Sequence, residues 1–204
     1  MNLINHFVEK LSKEQVSSST RNIYSEKEIN FQIRKENLRK YLTVMKEGSP
    51  SILLLGEAPG HKGCGITGIP FTSEKIISEV TFFSSKKFQF INPPDKLESE
   101  ISASIVWETL IQFENNLPLI WNIYPFHPHK SNNLKSNRPP KAAELKNGLI
   151  FLKELIKIFE IKKILAVGRK PESQIGEFEI YKKYIRHPSY GGKKQFIEGL
   201  RAEL

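Results

Sequence analysis

Apolar positions recur along the chain with two different periods. Leu3, Ile4, Phe7, Val8 and Leu11 follow the i, i+3, i+4 spacing of one helix face, and the polar cluster at residues 17–20 closes that segment. A second, more polar helix is predicted from Glu26 to Lys46. The pattern then changes. Residues 51–56 (Ser-Ile-Leu-Leu-Leu-Gly) form a short unbroken apolar run that stops at glycine, as a strand covered on both faces requires. Residues 119–124 and 163–168 repeat that signature, and residues 178–186 make a fourth strand. Helices are predicted at 73–80, with Ser73 as N-cap, at 102–115 and at 192–204. Another spans 142–159, where Leu145, Leu149, Leu152, Ile156 and Phe159 share a stripe.

This alternation predicts an α/β protein with three α/β/α layers around a four-stranded, mainly parallel central sheet. At 204 residues the chain holds one such domain, spanning 47–204, with residues 1–46 as a helical segment packed on it. In such a sheet ligands bind off the carboxyl ends of the strands. Four segments follow those ends: 56–71, 124–140, 168–174 and 187–194. Prolines at 125, 128, 139 and 140 exclude a helix or a central strand from the second, and its length marks it as a functional loop. The stretch 85–96, with Asn92-Pro93-Pro94, is a further loop.

Composition narrows the function. Hydrophobic residues make up 39% and charged residues 26%, enough for a core and too apolar for wholesale disorder. Lys and Arg number 31 against 22 acidic residues. Residues 127–194 carry 16 of those cations against 6 acidic residues, so the whole surplus falls on one segment, as a face meeting a polyanion would need. Cys64 is the single cysteine, which excludes a disulfide framework and any four-cysteine metal or cluster site. The opening residues lack the basic and apolar regions of a secretory signal. No apolar run reaches the ~18–20 residues of a membrane span. A cytoplasmic protein is expected.

Three strand-end segments carry candidate chemistry. Gly56-Glu-Ala-Pro-Gly-His61 continues through glycines 63, 65 and 68 to Phe71. It is neither a P-loop nor a dinucleotide fingerprint, but its glycines let a backbone approach an anion or a base. Asn122 ends an otherwise apolar strand, and a buried amide both donates and accepts, which suits a pyrimidine edge. His127 and His129 follow among prolines, with no nearby carboxylate or cysteine, so loop packing or phosphate contact outweighs zinc. The third segment, Arg186-His-Pro-Ser-Tyr-Gly-Gly-Lys-Lys194, presents a histidine at the sheet rim beside glycines and lysines. No Gly-x-Ser-x-Gly elbow supports a Ser-His hydrolase built on Ser73 or Ser189.

Taken in order, these segments resemble the uracil-DNA glycosylase superfamily. Gly56-Glu-Ala-Pro-Gly60 with Gly68-Ile-Pro-Phe71 looks like the first motif of its iron–sulfur (family 4) branch, and His61 matches the histidine ending that motif. Asn122 with Asn137-Arg138-Pro139 looks like the base-recognition strand and loop, and His187-Pro188-Ser189 like the last motif. The resemblance covers residues 51–204. It implies hydrolysis of the N-glycosidic bond of uracil in single- or double-stranded DNA, on a base flipped from the stack, with no cofactor and no metal. Phe71 would stack on the base, Asn122 read its polar edge, and the backbone at Glu57 and Ala58 contact O2. His187 would donate to the departing base, and Glu57 or His61 orient the water. Lys130, Arg138 and Lys193 would bind phosphates, with Ser189, Tyr190 and Gly191 against the strand and Tyr190 as a wedge. DNA is the expected partner, a membrane is not, and the protein is expected to be a monomer.

The departures are informative. The cluster-bearing branch uses four cysteines where this chain has Cys64 alone, so the cluster does not carry over. The best-known branch has an aspartate at the place of Ala58 and a thymine-excluding tyrosine at that of Gly60. A glycosylase for another damaged base, such as hypoxanthine, and a non-catalytic nucleic-acid binder of the same fold therefore stand as alternatives.

Overall fold

A computed structural model describes residues 3–204. Its first half contains α1 (Leu3–Lys13), β1 (Thr20–Arg21), α2 (Phe31–Glu47), β2 (Ile52–Gly56), α3 (Cys64–Thr67), α4 (Glu74–Glu79), α5 (Thr81–Ser84) and α6 (Ile101–Leu110). The second half contains β3 (Leu119–Asn122), β4 (His127–Pro128), α7 (Ala142–Phe159), β5 (Lys163–Val167), α8 (Arg169–Gln174), β6 (Tyr181–Ile185) and α9 (Lys193–Arg201). The apolar runs become the sheet. Its order is β3-β2-β5-β6, and every neighbouring pair is parallel. Leu53, Leu54, Leu55, Ile164, Leu165 and Ala166 are fully buried, because helices cover both faces of the two central strands. At the edge, β6 keeps Tyr181, Lys182 and Lys183 exposed, which explains its weaker apolar signature.

The chain runs outward from β2 to β3 and then, in the other direction, from β5 to β6. That reversal opens a crevice at the carboxyl ends of β2 and β5, where a ligand site is expected in an open α/β sheet. Successive side chains of a strand leave opposite faces. On β3, Trp121 meets the Phe7 ring of α1 at 5.5 Å, while Asn122 turns toward Phe71.

The N-terminal segment is built into the core. Phe7 also packs edge-on against Phe151 of α7, and the Tyr41 hydroxyl of α2 accepts the Ile120 N–H at 2.8 Å. That bond satisfies a donor on the sheet's edge strand, which would otherwise be open to pairing. The helix expected from Glu26 starts at Phe31, since residues 25–30 form turns that end in a left-handed Asn30. The helix expected over 102–115 ends at Leu110 and passes into a 3-10 stretch, Ile111–Asn116. The segment after β5 holds the short α8, and β4 pairs antiparallel with β1. Among the described residues no helix is long and apolar enough to cross a membrane.

Candidate active site

The carbonyls of Gly56 and Glu57 accept the N–H groups of Ile123 and Tyr124 at 2.9 and 3.0 Å. This ladder carries the glycine loop alongside the end of β3 and sets Ala58 near Asn122. Gly56 has to be glycine: a Cβ there would overlap the Phe71 ring and stand 2.6 Å from Asn122 Oδ1. Phe71 itself has φ 48°, a left-handed conformation rare for an aromatic residue. The Trp107 indole N–H holds it by donating to the Phe71 carbonyl at 3.0 Å. His187 arrives from the end of β6, and the turn behind it needs Gly192, whose Cβ would overlap the His187 carbonyl.

Glu57, Ala58, Phe71, Asn122 and His187 line one cavity of about 70 Å³. Its polar groups are primed for a ligand. Asn122 is 3% exposed, yet among the described residues its amide has no hydrogen-bond partner, whereas buried amides are ordinarily paired. The His187 Nδ1 accepts the Ser189 backbone N–H at 3.2 Å and the Ser189 hydroxyl at 2.7 Å. The imidazole proton therefore lies on Nε2, leaving that N–H as the free donor. Burial, together with the nearby Arg186 charge, pushes the His187 pKa below its ordinary value, so the ring is neutral at pH 7. The rings of Phe71 and His187 are 6.4 Å apart. Glu57 is half-exposed and paired with Lys170 at 3.3 Å.

A broad groove of about 790 Å³ adjoins the cavity. His61, Ser189, Tyr190, Gly191 and Lys193 line it, so these residues face the groove rather than the cavity. Tyr190 is 97% exposed at φ 51°. Lys193 is paired with Glu108 at 2.8 Å. Asn137 Oδ1 accepts the His61 backbone N–H at 3.0 Å and tethers the glycine loop to the proline-rich loop. A separate hollow of about 210 Å³ beside α1 is walled by charged side chains, with Lys35 paired to Glu9.

Other candidates do not converge. Lys130 is exposed and lines neither space. Arg138 turns inward: Nε donates to the His129 carbonyl, and Nη1 and Nη2 to Glu144 at 2.7 and 2.6 Å. Its donors are occupied by protein acceptors, which corrects the expectation of a phosphate contact. His127 is fully buried, donates from Nε2 to the Ser136 carbonyl at 3.0 Å, and is pushed down by burial to about 4. It is a packing residue of the loop. Among the described residues no three His, Cys, Asp or Glu side chains are grouped so as to hold a metal ion. The cavity also contains a residue that strand-end reasoning missed, Glu100, delivered by the start of α6.

A ring, an amide and a neutral imidazole around one small cavity at the rim of a parallel sheet suit an enzyme that grips a planar base with polar edges. A sequence profile of the uracil DNA glycosylase superfamily matches residues 44–197. The chain therefore belongs to that superfamily, the enzymes that release damaged bases from DNA. Its fold is similar to the crystal structure of wild-type SMUG2 from Pedobacter heparinus, with a TM-score of 0.69 over 99% of this chain and 96% of that one, at 16% identity. No curated protein matches the sequence.

Proposed function

We propose that the protein hydrolyses the N-glycosidic bond of deoxyuridine in DNA, leaving an abasic site. The observation that carries this reading is the shared cavity of Phe71, Asn122 and His187, with the amide and the Nε2–H both unpaired among the described residues. Phe71 stacks on the flipped base, a contact of ~1–3 kcal/mol. Asn122 accepts from N3–H and donates to O4. Cytosine reverses the pattern at position 4 and loses that match. As the C1′–N bond breaks, negative charge collects on the base and positive character on the sugar. The His187 Nε2–H meets the charge at O2; one preorganised donor of this kind is worth ~3–4 kcal/mol. Glu57, on the cavity wall, places a negative charge near the cationic sugar, and its backbone with that of Ala58 faces O2. His61, Ser189, Tyr190, Gly191 and Lys193 track the strand in the groove, with Tyr190 as the wedge.

Single-turnover excision from a uracil strand tests the assignment. Asn122→Ala should weaken discrimination and lower the apparent affinity. His187→Ala should bind normally but cleave about 10²–10³-fold more slowly. An unchanged rate in the His187 variant removes the proposed mechanism.

A further inference from the structure

Glu100 occupies the N-cap position of α6, yet its side chain makes no capping bond. The carboxylate leans instead on the glycine loop. A Cβ on Gly60 would stand 2.5 Å from its Oε1, and one on Gly63 would overlap its Oε2. Among the described residues no donor bonds either oxygen. A half-buried carboxylate without protein partners opposes folding, so a fold that retains one at a cavity mouth has another use for it.

Position indicates the use. Of the residues around the two spaces, only Glu100 and Ser102 line both the cavity and the groove. With the base in the cavity and the backbone in the groove, the bond joining them lies at that boundary. We propose, on the glycosylase reading above, that Glu100 is the catalytic base, holding the attacking water at the sugar carbon and taking its proton. The water oxygen forms the new C1′–O bond as the C1′–N pair leaves on the base. One water proton passes to the Glu100 carboxylate and thence to the departing base, so the products are the free base and the abasic sugar.

The surroundings suit this chemistry. Burial raises the Glu100 pKa to about 7, and a general base works best near the operating pH. Glu57, by contrast, already has a partner in Lys170 and lines the cavity alone, not its boundary with the groove. The other titratable groups facing Glu100 are Cys64 and His187 in the cavity, and His61, Lys62, Tyr190 and Lys193 in the groove. Burial pushes the Cys64 thiol far up, and His187 is neutral.

The test compares wild type, Glu100→Gln and Glu100→Asp in single-turnover excision between pH 5.5 and 8.5. The strand carries the base that the wild type removes. Wild type should speed up as the carboxylate ionises and level off above about pH 7. Glu100→Gln should be about 10²–10³-fold slower and lose the acid limb. It should still bind a non-hydrolysable 2′-fluoro-deoxyuridine strand within about threefold of wild type. Glu100→Asp should keep the limb at a reduced rate. The acid limb is the readout that a structural role would not give, and thermal melting checks the burial separately. The folded pKa lies above the unfolded one, so stability falls as pH rises from 4.5 toward 7. Relative to wild type, Glu100→Gln should therefore gain stability from pH 5 to pH 8. A Gln variant within about twofold of the wild-type rate, or one that keeps the acid limb, overturns the proposal and leaves the glycosylase reading intact. A wild type that forms abasic product from no base overturns both.

Discussion

Arg138 and Glu144 form a two-pronged pair, with guanidinium nitrogens 2.6 and 2.7 Å from the two carboxylate oxygens. Nη2 also reaches the Ser19 carbonyl, so the pair ties the proline-rich loop and α7 to the N-terminal segment. Burial works to raise the Glu144 pKa. Hydrogen bonds from Arg138, the Lys141 N–H and Thr20 outweigh it and hold the carboxyl at about 2. The folded pKa is therefore depressed, and its stabilisation is present above about pH 4.5 and lost as pH falls toward 2. Arg138→Ala should lower stability at pH 7 by about 2 kcal/mol, less than a deeply buried pair because water still reaches it. The same variant should leave the salt dependence of DNA affinity unchanged, since each lost phosphate contact would lower the slope by about one. A slope reduced by one in titrations at several salt concentrations would return Arg138 to the DNA interface.

At the scale of elements, strand ends deliver the site, and their positions follow from short apolar runs. The expected strands at 51–56, 119–124, 163–168 and 178–186 correspond to Ile52–Gly56, Leu119–Asn122, Lys163–Val167 and Tyr181–Ile185. Phe71, Asn122 and His187 were legible because Asn122 ends a strand and the other two lie in segments that follow one. Gly56 was visible only as a strand terminator, whereas its role is to admit the Phe71 ring. Gly56→Ala should displace Phe71 and Asn122 together, costing about 1–3 kcal/mol of stability and most of the excision rate. Full activity in that variant would show that the ring and amide need not be so close. Glu100 was not legible, for a physical reason. Glu98 and Glu100 are alike in sequence, but Glu98 pairs with Lys62 at 3.7 Å and Glu100 enters the cavity. Only the packing of α6 against the glycine loop separates them. The inward turn of Arg138 was hidden likewise, because Ser19 is 119 residues away in the chain.

Across the whole molecule, the cationic surplus of residues 127–194 is partly neutralised within the fold. Lys153, Lys163, Lys170 and Lys193 are paired with Glu177, Glu203, Glu57 and Glu108. Pairs at exposed sites are weak and exchange readily for phosphate, so Lys153 and Lys193 still contribute to binding a polyanion. The N-terminal helices complete the sheet through Phe7 and Tyr41, giving the site a rigid frame. The most direct measurement on this assembly is alkaline cleavage of oligonucleotides carrying uracil, hypoxanthine, xanthine, thymine or cytosine after incubation with the wild-type protein. Cleavage at uracil, with thymine and cytosine strands intact, is the predicted result. Intact strands throughout the set would contradict the account.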